Sequence, residues 1–173
     1  KGEKKLGEIP ISATVFGYHS NGSMSVWSFY EPDKRWTKLS WANLEIIDFK
    51  TGKRKVITTK KRLYNPNISA DGKRIAAVSF NEKRNSLLVI LDIDGNILDR
   101  VEAPDQGYIM FPSWSQDTKR IVFTSQKYEG RSIYIYDAER RIFDKIKPET
   151  WEDISHPIFY KDFIIYESPY VGI

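Results

Sequence analysis

A chain of 173 residues with no cysteine has room for one sizeable core but no access to disulfides, thiolate metal sites or cysteine nucleophiles. Its 40% hydrophobic and 29% charged residues describe a folded globular chain and exclude a disordered one, and its longest apolar run, Leu87–Leu91, is far short of the roughly 18 residues needed to span a bilayer. The net charge of +4 divides unevenly, with 13 Lys and Arg against 6 Asp and Glu in residues 1–64 (+7) and 14 against 17 in residues 65–173 (−3), so a basic N-terminal third could meet an anionic partner, although such charges more often solvate exposed turns.

The opening "KGEKKLGEIP" has neither an initiator Met nor a signal-peptide pattern, and residues 1–10 are expected to be a tail on a processed or trimmed chain. Next comes "VFGYHSNGSMSVWSFY", which predicts a hairpin turned at Asn21-Gly22. Alternation in "SVWSFY" puts Val26 and Ser28 on one face and Trp27 and Phe29 on the other, as packing between sheets would require. A longer connection, "EPDKRWTKLSW", precedes the predicted strands "NLEIIDF" and "KVITT", and together these make an atypical first unit over residues 11–64. Strands are then predicted near 65–69, 74–80, 86–92 and 96–101 in a second unit (65–110), and near 110–115, 119–125, 131–137 and 141–146 in a third (111–155). The last unit, 156–173, holds only two, near 156–159 and 162–167. No segment carries a sustained 3.6-residue period with caps, so almost no helix is expected.

The units repeat. "NPNISADGKRIAAVSF", "FPSWSQDTKRIVFTSQ" and "HPIFYKDFIIYES" align on Pro66, Pro112 and Pro157, spaced 46 and 45 residues apart. A second landmark keeps the period: the apolar runs of "LEIIDFKTG", "LLVILDIDG" and "IYIYDAERR" end at Asp48, Asp92 and Asp137, 44 and 45 apart. Four short strands per unit of about 45 residues is the arithmetic of a propeller blade. The prolines are expected at strand starts, where a missing N–H does least harm, and Asp71-Gly72 and Asp94-Gly95 at hairpin bends.

The phrase P-x-[IW]-S-x-D-x-K-R-I followed by an apolar run ending in Asp resembles the TolB-type (WD-like) β-propeller repeat. The resemblance covers about residues 41–173 and is clearest over 65–137. It departs at Thr118, where a turn Gly is expected, and at Tyr160-Lys161, which replace the Ser-x of S-x-D and leave only Asp162. It implies an all-β fold of four-stranded antiparallel blades, about three and a half of them. Since propellers close with about four to eight blades, the array is expected to be part of a larger propeller, or to self-associate through its open blade edges.

Asp71, Asp117 and Asp162 could be imagined as a ring of metal ligands, but a repeated turn Asp is expected to accept backbone N–H groups of its own turn, and Asp48, Asp92 and Asp137 likewise. "DIDGN" fails as a calcium loop, since position twelve from Asp92 is Ala103 and not Glu. The sequence contains no HExxH, GxSxG, GxGxxG or P-loop pattern, and no cofactor is expected. The two histidines, His19 and His156, are expected near a hairpin tip and in a turn. The clusters Lys53-Arg54-Lys55 and Lys60-Lys61-Arg62 flank a predicted outer strand, where lysine guards an edge, and they lack the interleaved aromatics of a nucleic-acid surface.

The residues singled out for a partner or ligand surface are Tyr18, His19, Trp36 and Trp41, in and beside the unusual loops of the first unit. The functional expectation is a non-catalytic propeller module binding a protein or small ligand on its face. The TolB-type resemblance implies a bacterial envelope or secreted setting, the cytoplasm being left open. The alternative is a propeller accompanying a serine peptidase or other hydrolase whose catalytic residues lie outside this chain. A weaker option is a glycan-binding or glycan-hydrolysing propeller using the aromatic-rich first unit.

Overall fold

Our computed structural model describes residues 8, 17–33, 35 and 40–169. Among them the chain runs through strands broken by one 3-10 turn, Pro104–Gln106. Strands β1 (Tyr18–Ser20), β2 (Met24–Pro32), β3 (Ser40–Asp48) and β4 (Arg54–Val56) form a four-stranded antiparallel sheet in that order. The second sheet holds β5 (Tyr64–Ile68), β6 (Arg74–Phe80), β7 (Ser86–Asp92) and β8 (Ile97–Glu102), and the third β9 (Tyr108–Trp114), β10 (Arg120–Lys127), β11 (Gly130–Asp137) and β12 (Ile142–Thr150). The two strands β13 (Ser155–Tyr160) and β14 (Phe163–Glu167) pair by themselves. These are propeller blades, three complete and one half, each a meander, with the first strands β1, β5, β9 and β13 lying against one another.

The core lies between blades, which explains why the middle strands read as unbroken apolar runs. Strands covered on both faces need apolar residues at every position. Along β6, Ile75 and Ala77 face the first blade with Val26, Leu44 and Ile46, while Ala76 and Val78 face the third with Ile121 and Phe123. Strand β10 does the same, sending Val122 toward Ile154, Phe159 and Ile164 beside the half-blade. The alternation expected in β2 holds: Val26 joins the core between the first two blades, and Trp27 and Phe29 pack on the other face with Ile47 and Phe49.

The repeated phrase fixes the hairpin inside each blade and the seam to the next. Asp71 Oδ1 accepts the Ser69 hydroxyl at 2.6 Å and the Lys73 N–H at 3.1 Å, and Asp117 takes the equivalent Ser115 and Lys119 groups at 2.5 and 3.0 Å. Asp48, Asp92 and Asp137 also accept N–H groups of their own turns. The Arg of K-R-I crosses the seam: Arg74 stacks 4.7 Å above the Trp114 ring and donates to the Thr118 carbonyl, and Arg120 stacks 5.2 Å above Phe159. Asp162 departs from this pattern. Tyr160 pairs directly with Phe163, so the half-blade turns through Lys161-Asp162 alone and forms no Ser-x-Asp bend.

The prolines also differ from expectation. Pro66, Pro112 and Pro157 lie inside β5, β9 and β13 and not at their starts. The pairing with the second strand slips at each of them, between Tyr64 and Asn67, opposite Val122 and Thr124, and between Ser155 and Ile158. A bulge frees the proline from supplying a ladder N–H, so a mid-strand position is tolerated.

Candidate functional site

Each bulge leaves the residue before proline in the left-handed region, with φ of 47° at Asn65, 52° at Phe111 and 47° at His156. Gly17 holds the corresponding place in β1's approach with φ 92°, and a Cβ there would come within 2.8 Å of Asn65 Cα, so glycine is required on both counts. Asn tolerates this backbone, but a Phe with φ above zero is an outlier that the surrounding strands must enforce. These residues and their two successors, Gly17–His19, Asn65–Asn67, Phe111–Ser113 and His156–Ile158, enclose a recess of about 410 Å³ among the four innermost strands.

Both histidines of the chain line it, and each is tied down at Nδ1. The N–H of Ile68 donates to His19 Nδ1 at 3.2 Å, which puts the proton of the neutral ring on Nε2. Burial pushes the pKa of His19 below its ordinary 6.5, which keeps the ring neutral. The bond is a seam contact that recurs one blade on, where Asn67 Oδ1 accepts the Trp114 N–H at 3.0 Å. His156 is held the opposite way. Its Nδ1 lies 2.9 Å from Glu167 Oε2, and because a carboxylate accepts, Nδ1 donates and Nε2 keeps its lone pair in the neutral ring. The imidazole lies against Phe111, ring centres 3.8 Å apart.

The recess therefore offers a fixed N–H donor from His19 and, from the neutral His156 ring, a lone-pair acceptor. Asn65 and Ser113 add an amide and a hydroxyl that make no hydrogen bond among the described residues. No Lys, Arg, Asp or Glu among the described residues lines it. The His156–Glu167 pair has the outline of a base held by a carboxylate, yet no hydrogen bond joins Ser113 to His156 among the described residues, and a nucleophile needs that reach. No cluster of three potential metal-ligating side chains occurs among the described residues. No helix there is long and apolar enough to cross a membrane.

Of the residues singled out from sequence, Tyr18 and His19 line the recess, His19 within β1 and close to the hairpin turn at Asn21-Gly22. Trp41 lies in β3 beneath the Arg62 guanidinium and does not line it, and Trp36 falls outside the described residues. Asn65, Phe111, Ser113 and His156 were not singled out. Their signal was present as the positions flanking the repeated proline, where residue types differ from unit to unit.

No protein-family profile matches the sequence, and no curated protein does. Solved structures do match. The chain superposes over 90% of its length on the β-propeller domain of the Trilobed protease from Pyrococcus furiosus, with TM-score 0.66, 18% identity and 48% of that chain covered. A putative TolB from Agrobacterium tumefaciens matches over 88% of this chain and 53% of its own, with TM-score 0.65 and 15% identity. An acylaminoacyl peptidase from Pyrococcus horikoshii matches over 86% of this chain and 26% of its own, at TM-score 0.63 and 17% identity. The chain thus spans about half, or less, of the length of each structure it resembles, and its fold is a TolB-like β-propeller.

Proposed function

We propose that this chain is a non-catalytic propeller module that holds a protein segment or small ligand in the recess between its innermost strands, within a bacterial envelope or secreted protein. The observation that carries this reading is the convergence on one recess, from three bulged strands and β1, of polar atoms (the two imidazole Nε2 atoms, the Asn65 amide and the Ser113 hydroxyl) that make no hydrogen bond among the described residues. Unpartnered polar groups in a preformed concavity are what a recognition site displays before it is filled. The TolB-like fold supports the envelope setting by analogy alone. The measurement is nitrogen-15 NMR of the two imidazoles while the chain is titrated with a library of small ligands and short peptides. Binding that shifts both His19 and His156 signals is expected. Binding that leaves both unmoved, or turnover of a bound compound by the chain alone, would overturn the reading.

The likeness to propellers of a protease and a peptidase favours a second reading, in which the module accompanies a hydrolase whose catalytic residues lie elsewhere. Its discriminator is the parent reading frame: a GxSxG-bearing α/β domain in that frame favours the accompanying role.

A further inference from the structure

We propose that the recess takes a neutral sugar, a pyranoside ring without phosphate or carboxylate, an inference that rests on the recess being the binding site. Charge is the first ground. No Lys, Arg, Asp or Glu among the described residues lines the recess, and Glu167 is engaged with His156. A charged ligand would lose hydration there and gain no countercharge. Hydrogen-bond character is the second. His19 Nε2 donates, His156 Nε2 accepts when its ring is neutral, and the Asn65 amide and Ser113 hydroxyl do both, all without a protein partner among the described residues. A hydroxyl is the ligand group that donates and accepts from one atom, and a sugar ring carries several around its rim.

Arrangement is the third ground. The polar groups come from four strands surrounding the recess, one from each, which suits a compact ring. An extended peptide is instead read along a single strand edge, with alternate residues entering successive pockets. Phe111 supplies an apolar surface on one side of the recess, held in place by its left-handed backbone and by the His156 ring. A pyranoside has an apolar face of C–H groups to set against such a ring while its rim faces polar groups. The volume of about 410 Å³ lies within the range of small-ligand pockets.

The test titrates the full chain with methyl β-glucoside, methyl β-galactoside, N-acetylglucosamine and maltose, and with glucose 6-phosphate and glucuronate as charged counterparts. Binding is read by saturation-transfer NMR and by the imidazole nitrogens. At least one neutral sugar is expected to bind and shift both histidines, with its charged counterparts about tenfold weaker or worse. Asn65→Gly keeps a backbone suited to positive φ while removing the amide, and Ser113→Ala removes only a hydroxyl, so both variants are expected to fold. Each should weaken the sugar about three- to tenfold. Charged sugars binding as well as neutral ones, or sugar binding that leaves the histidines unmoved, would overturn the proposal. Uncharged peptides that shift the histidines where no sugar does would overturn the sugar and leave the recess reading standing. If neither class shifts them, both readings fall.

Discussion

His19 joins two blades through a ring nitrogen that must stay unprotonated to accept the Ile68 N–H. Folding holds its pKa below the ordinary 6.5, so the unfolded chain binds that proton more readily. Stability is therefore undiminished above that value and falls as pH drops through it toward the lowered folded value. His19→Gln, whose side-chain oxygen can also accept, should flatten this fall in thermal melts taken between about pH 7 and pH 5. A separate loss follows at lower pH. The Ser69 and Ser115 hydroxyls and the turn N–H groups hold Asp71 and Asp117 below their ordinary 3.8, and the stability they contribute is lost as pH falls through the lowered values. Thr118 presents a different case, a β-branched residue with φ 60° where its counterpart is Gly72 with φ 70°. Asn tolerates that backbone and can still accept from Arg74, so Thr118→Asn should stabilise by about 0.5–1 kcal/mol in denaturant melts.

At the scale of elements, the seams explain the residues that repeat. Arg74 combines a stack on Trp114 with hydrogen bonds to Thr118, and a lysine reproduces neither geometry. Arg74→Lys is expected to cost about 1–2 kcal/mol, read from the urea midpoint. Gly95 is a second seam residue: its φ of 89° suits the hairpin, and a Cβ there would overlap the Ile57 carbonyl of the first blade. Gly95→Ala should cost about 3 kcal/mol or more, the combined effect of strain and overlap. The hairpin at Asp94-Gly95 was legible because turn chemistry is local; the approach of Ile57 was not, since no local pattern encodes a contact between blades. Strand positions in the second and third blades were legible to within a few residues from runs and turns. The bulges were not, because a proline inside a strand and one at its start look alike in sequence. That ambiguity hid the recess: Phe111 and His156 read as strand-start and turn residues, and only a slipped register gathers them together.

For the whole molecule, stability is graded along the array, because each blade is held mainly by its neighbours. Phe123 is fully buried between Tyr134, Phe143 and the second blade, and Phe123→Ala should cost about 3–5 kcal/mol and weaken both adjoining blades together. The half-blade buries far less: Phe163 is 68% exposed, and Ile158, Tyr160 and Ile165 are about half exposed. In hydrogen exchange, amides of β13 and β14 should be the least protected of the strand amides in the last two blades, with those of β10 and β11 the most. Uniform protection across both blades would show that the array opens as one unit.

The bulge before each proline has one more consequence. Backbone shape there is set by the slipped register, so Asn65, Phe111 and His156 occupy three equivalent seats with an amide, a benzene ring and an imidazole. The seat is inherited with every duplicated repeat, while its occupant is free to drift. A chain built this way can acquire a new ligand by exchanging single residues, without redrawing the scaffold that presents them.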